Sequence, residues 1–116
     1  MRKFTFLSIL ITFFYSSSAQ LCRFEKTNGM ESATYFEAID WYKNLDKAST
    51  KVLVKEMGMS DAGYPLHLVL VSNDGKFDAA QWHKQNKAVI LINNGIHPGE
   101  PDGIDASMML VRDIVT

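Results

Sequence analysis

Residues 87–112 read KAVILINNGIHPGEPDGIDASMMLVR. The apolar, β-branched run Ala88 to Ile92 predicts a buried strand, and the polar turn Asn93 to Gly95 ends it. His97 and Glu100 follow in a loop, and a helix begins after them. Asp102 is a good N-cap for that helix, and Asp105 falls at its N3 position, where a carboxylate favours the positive end of the helix dipole. This order puts an imidazole and a carboxylate at the carboxyl end of a strand, the place where open α/β sheets carry their chemistry.

The helix after Asp102 has Ile104, Met108, Val111 and Val115 on one stripe, with Ala106, Met109, Leu110 and Ile114 filling much of the rest. So wide an apolar surface predicts burial against more protein than this chain supplies. Thr116 falls within the helical pattern, with no Gly, Asn or Pro to stop it. Only three strands are legible along the chain, none joined to the next by a full strand-helix-strand crossover. The expectation is a truncated α/β chain.

Upstream of the 87–112 stretch, Lys76 to Asn86 is polar and aperiodic apart from Phe77 and Trp82, and it predicts a surface loop with room for one helical turn. His83 in this loop is flanked by polar residues and reads as solvated. Asn73-Asp74-Gly75 marks a turn. Before it, Lys51 to Met59 and Tyr64 to Ser72 predict the strands of a β-hairpin around Ser60-Asp61-Ala62-Gly63, with Gly58 weakening the end of the first. The second strand is apolar on both faces, as expected of an interior strand. His67 on it reads as a hydrogen-bonded core histidine rather than a ligand.

Thr34 with Glu37 three residues on fits a capping box, and Tyr35, Ala38, Ile39, Tyr42 and Leu45 form one stripe of the helix that follows. Its aromatic residues, Trp41 included, read as core packing. Ahead of this helix, residues 20–31 form a short polar lead.

The chain opens on a targeting segment. Arg2 and Lys3 form a basic n-region, Phe4 to Tyr15 an apolar h-region too short to span a bilayer, and Ser17-Ser18-Ala19 a small-residue cleavage signal. Residues 1–19 are therefore expected to be a signal peptide, with export to a periplasmic or extracellular location and no membrane span after cleavage. Cys22 is the single cysteine, so the chain holds no internal disulfide. It lies just past the cleavage point, but Ala19 and Leu21 occupy the places where a lipoprotein signal has Leu and a small residue, so a lipid anchor at Cys22 is the weaker expectation.

Composition excludes several classes. With 47% hydrophobic and 22% charged residues the chain is that of an ordinary globular protein. The net charge is −1, and no Lys/Arg cluster interleaves with aromatics, which argues against nucleic acid. Without Arg2 and Lys3 the 12 basic residues fall to 10 against 13 acidic, a net charge of −3.

Zinc takes nitrogen and oxygen ligands, and a catalytic site holds three protein ligands with one position left for water. A His and a Glu three residues apart reach one ion if the loop between them turns sharply, and Pro98-Gly99 is chemistry for such a turn. A His-x-x-Glu pair is a common pattern by itself; its setting between strand and helix carries the reading.

The segment LINNGIHPGEPDGIDASMMLVRDI resembles the zinc-binding segment of the zinc carboxypeptidase family of the carboxypeptidase A type, in which a strand leads through a Gly-His-x-x-Glu loop into a helix. Thr34-Tyr35 opening a helix with Trp41 inside it, the Gly63-Tyr64-Pro65 turn and a strand ending at Ser72 agree with it. The resemblance covers residues 32 to 116. It implies the N-terminal part of a zinc-exopeptidase-like α/β/α fold with a mixed sheet, and it implies that His97 and Glu100 are two of three ligands of one Zn2+ ion.

The same resemblance places the third ligand, a His, and the general base, a Glu, beyond residue 116, so no catalytic base is expected among residues 1–116. Peptides or proteins are the implied substrates, and this chain alone is expected not to hydrolyse them. The digestive-type enzymes have His-Ala-Arg-Glu-Trp where this chain has His97-Pro98-Gly99-Glu100-Pro101, so an Arg that would touch substrate is missing. Tyr64 stands where family members often carry Arg in the hairpin.

Two other readings compete. A deacylase branch with the same His-x-x-Glu ligation cleaves acyl-amino acids; its loop usually reads His-Gly-Asn-Glu, and Pro98-Gly99 favours the peptidase. A non-catalytic exported domain of the same fold would bind peptide or cell-wall material without cleaving it.

Overall fold

The computed structural model describes residues 20–97 and 99–116; the signal segment 1–19 and Pro98 lie outside the described residues. The chain folds as mixed helix and strand around a two-stranded antiparallel sheet. Its elements run α1 (Arg23–Lys26), α2 (Tyr35–Ala48), β1 (Val52–Met59), β2 (Pro65–Val71), α3 (Ala79–Lys84) and α4 (Asp102–Val115).

Helix α2 starts where its capping chemistry places it. The Thr34 hydroxyl accepts from Glu37 N, and the Glu37 carboxylate accepts from Thr34 N at 2.9 Å. These bonds pair donors that the first helical turn leaves free. The buried stripe is Ala38, Trp41 and Leu45, rotated from the expected one. Tyr35 is exposed, and Trp41 takes its place inside, because the lead packs over Trp41: Gln20 Nε2 donates to Trp41 O at 2.8 Å and Trp41 Nε1 donates to Gln20 O at 3.1 Å.

The hairpin pairs Val52 with Val71 and Glu56 with His67. The register shifts between Glu56 and Gly58, so Met57 is a bulge residue, and Gly58 at φ +120° takes a conformation that side chains disfavour. Among the described residues β2 has one strand neighbour, β1. The expectation of an interior strand is corrected to this extent: its second edge carries no ladder here.

The strand expected over Lys87 to Ile92 does not form. These residues have no strand assignment, and Val89, Ile90, Leu91 and Ile92 are exposed by 53–82%. Strand propensity acts through packing and ladder bonds, and neither partner is in place for this segment. With β2, α2 and α4 it lines an open cleft of about 650 Å3.

The core gathers Cys22, Ala38, Trp41, Leu45, Val52, Met108 and Val115, so α2 is held between β1 and α4. The lead is more than a polar tail. Cys22 is fully buried, and Glu25 on α1 binds Arg112 on α4. Residues Leu110 and Ile114 on the far side of α4 stay exposed. The expected surface loop contains α3, capped by Asp78, whose carboxylate accepts from Ala80 N at 2.8 Å and from Gln81 N at 3.3 Å. Among the described residues no helix is long and apolar enough to cross a membrane.

Candidate metal centre

The loop from Asn93 to Pro101 ends on helix α4. The cap differs from the expected one: Pro101 is the N-cap residue and Asp102 the first helical residue. The physical reason is that Pro101 O accepts from both Ile104 N (2.9 Å) and Asp105 N (3.2 Å), closing the first turn one residue early. Asp105 falls one position past N3 but stays in the first turn, and it takes a tertiary role as well. It is 3% exposed and accepts from Ala33 N at 3.3 Å, fastening α4 to the start of α2.

On this loop His97 Nδ1 and Glu100 Oε2 lie 3.2 Å apart. Both side chains are open to solvent, 73% and 65% exposed. Gly99 between them has φ +86° and Gly95 before them φ +65°, both in the left-handed region that glycine enters without strain.

That separation fits a metal. Two donors on one tetrahedral zinc, each about 2.0–2.2 Å from it, lie about 3.4 Å apart, and imidazole nitrogen with carboxylate oxygen is an ordinary zinc donor set.

The other two histidines stand apart. His83 on α3 is exposed. On β2, His67 Nδ1 lies 3.4 Å from the Tyr35 hydroxyl, which itself donates to Pro65 O at 2.6 Å. The hydroxyl proton being committed, Tyr35 accepts from His67, and Nδ1 carries the hydrogen. Nε2 is buried and without a partner among the described residues. No group of three His, Cys, Asp or Glu side chains able to hold a metal occurs among the described residues.

Reading the sequence residue by residue missed Asn94, Gly103 and Ser107. Asn94 Nδ2 donates to Ser107 Oγ across 13 positions, and Gly103 lies directly against the Asn94 side chain. The available signal was the four-residue spacing of Gly103 and Ser107, which puts both on one helix face.

The chain matches no protein-family model, no curated protein and no solved structure.

Proposed function

We propose that this chain carries the first two zinc ligands, His97 and Glu100, of a zinc metallocarboxypeptidase and that it represents the N-terminal part of that enzyme's catalytic domain. The observation that carries the reading is the 3.2 Å separation of Nδ1 and Oε2, the spacing of two donors on one ion, on a loop that runs into a helix. The zinc-exopeptidase-like α/β/α fold with a mixed sheet belongs to the same proposal, as do the signal peptide over 1–19 and export. The third ligand and the general base lie outside the chain in this reading, and the substrate is a peptide or protein with a free C-terminus.

Bound zinc supplies a water of lowered pKa and polarises a carbonyl. The chain's own residues do three things. His97 offers Nδ1 in its unprotonated form, Glu100 offers a carboxylate oxygen, and the loop holds the two at donor spacing before any ion arrives.

Two measurements test this reading. The first is competition of the full chain with a chromogenic chelator for zinc; His97→Ala and Glu100→Gln each abolish the chain's share. Undiminished zinc binding in His97→Ala sinks the assignment. The second is an assay of the protein read through the continued reading frame on a blocked dipeptide and on an acyl-amino acid. Release of a C-terminal residue supports the peptidase, preference for the acyl-amino acid the deacylase, and binding without turnover the non-catalytic domain.

A further inference from the structure

The geometry points to Asn94 as the residue that positions the His97–Glu100 loop on helix α4. Its purpose rests on the zinc reading above; its structure does not.

Asn94 Nδ2 donates to Ser107 Oγ. A Cβ built on Gly103 would sit 2.6 Å from Asn94 Oδ1 and 2.9 Å from its Cγ, so the amide occupies the space that any other residue at 103 would fill. Gly103 and Ser107 are one helical turn apart on the same face. The Asn94 side chain therefore lies along one turn of α4, seated on the bare backbone at Gly103 and hydrogen-bonded at Ser107.

The next residue adds a second contact. Gly95, at φ +65°, approaches Ile104 so closely that a Cβ there would lie 2.7 Å from Ile104 Cδ1. Two consecutive loop residues thus pack on Gly103, Ile104 and Ser107. The other end of the loop is fixed through Pro101 O, which accepts from Ile104 N and Asp105 N. Both ends of the segment 96–100 are therefore tied to the same two turns of one helix.

His97 and Glu100 have no hydrogen-bond partner among the described residues except each other, and both side chains face solvent. No other described side chain hydrogen-bonds the pair, so its seat on α4 rests on the two ends of the loop. With the Asn94 end released, the pair would have to be collected from many loop conformations at the moment the metal binds, and the ordering cost would come out of the affinity.

The test uses the full chain with zinc and the variants Asn94→Ala, Ser107→Ala and Ser107→Thr. Asn94→Ala and Ser107→Ala should each lower zinc affinity about tenfold or more, the range seen when the groups supporting a metal's ligands are lost. Ser107→Thr keeps the hydroxyl and should keep the affinity. In the metal-free chain, amide hydrogen exchange at Gly95, Ile96 and His97 should accelerate in the two Ala variants while exchange within α2 stays unchanged.

Asn94→Ala with wild-type affinity and wild-type loop exchange overturns the inference. So does a loss of affinity that Ser107→Ala fails to reproduce, because the bond to Ser107 is the clamp. A wild-type chain that binds no zinc sinks the metal reading alone, and the metal-free exchange then decides: faster loop exchange in Asn94→Ala keeps the clamp, unchanged exchange removes it.

Discussion

Arg112 on α4 and Glu25 on α1 form a two-pronged ion pair: Arg112 Nη1 donates to both carboxylate oxygens, at 2.7 and 2.6 Å. The two side chains are 11% and 21% exposed, and 87 positions of sequence separate them. The same carboxylate accepts from Cys22 N at 2.9 Å. One acidic residue thus holds the segment around Cys22 onto the last helix.

Removing one partner leaves the other mostly out of water with only its lesser bond, Arg112 to Asp113 or Glu25 from Cys22 N, and losing a hydrogen bond to a charged group costs about 1–3 kcal/mol. Glu25→Ala and Arg112→Ala should each lose about 2 kcal/mol in urea unfolding, at the middle of that range. A loss under about 0.5 kcal/mol, the size expected of an ordinary surface change, would show the bridge to be ornamental.

The pair also sets a pH dependence. Burial works to raise the Glu25 carboxyl, but the bonds from Arg112 and Cys22 N outweigh it and hold the group below the usual carboxylate range. A depressed folded-state value means that the contribution is present above the unfolded glutamate pKa of about 4.3 and is lost as pH falls through the folded value. Wild type should therefore lose stability below about pH 4.3 more steeply than Glu25→Gln. Parallel acid-unfolding curves for the two proteins would contradict this.

At the alkaline end the relevant group is Tyr42, whose hydroxyl is pushed up to about 12 by burial. The unfolded chain ionises this tyrosine near pH 10, so stability is complete below about 10 and falls as pH rises towards the folded value. Absorbance titration of tyrosinate should show one fewer group ionising between pH 10 and 11 in wild type than after denaturation. Tyr42→Phe should remove that difference.

Packing separates neighbours on α4. Met108 is 1% exposed, whereas Leu110 is 46% exposed. Met108→Ala should cost about 2–5 kcal/mol through lost burial and the cavity left behind. Leu110→Ser, on the open side, should change stability by no more than about 0.5 kcal/mol. Thermal unfolding of the two variants distinguishes them, and equal losses would mean that the face of α4 has been misassigned.

The His97–Glu100 pair gives the converse expectation for stability. His97 and Glu100 are exposed and bonded only to each other among the described residues. In metal-free buffer His97→Ala and Glu100→Gln should therefore unfold within about 0.5 kcal/mol of wild type. In zinc, wild type alone should gain stability with rising metal concentration, because an ion that binds only the folded state shifts the equilibrium by mass action.

Local signals were legible wherever a few neighbouring residues decide the structure. The Thr34–Glu37 capping box and the Ser60–Gly63 turn follow from side chains within four positions of the bonds they make, and the two hairpin strands from their alternation on either side of that turn. The His97–Glu100 pair was legible for the same reason, being three residues apart on one loop.

Tertiary structure decided what depends on distant partners. Whether 87–92 pairs as a strand turns on a neighbouring edge, and no edge is paired with it here. The burial of Cys22 and the use of Asp105 to hold Ala33 N arise from contacts across tens of residues. Local spacing carries no information about them. The sequence by itself determined helices α2 and α4, the hairpin and the closeness of His97 and Glu100. The tertiary structure alone decided which helix faces are buried and that Asn94 seats the loop on Gly103 and Ser107, because burial and hydrogen-bond completion are properties of the packed chain.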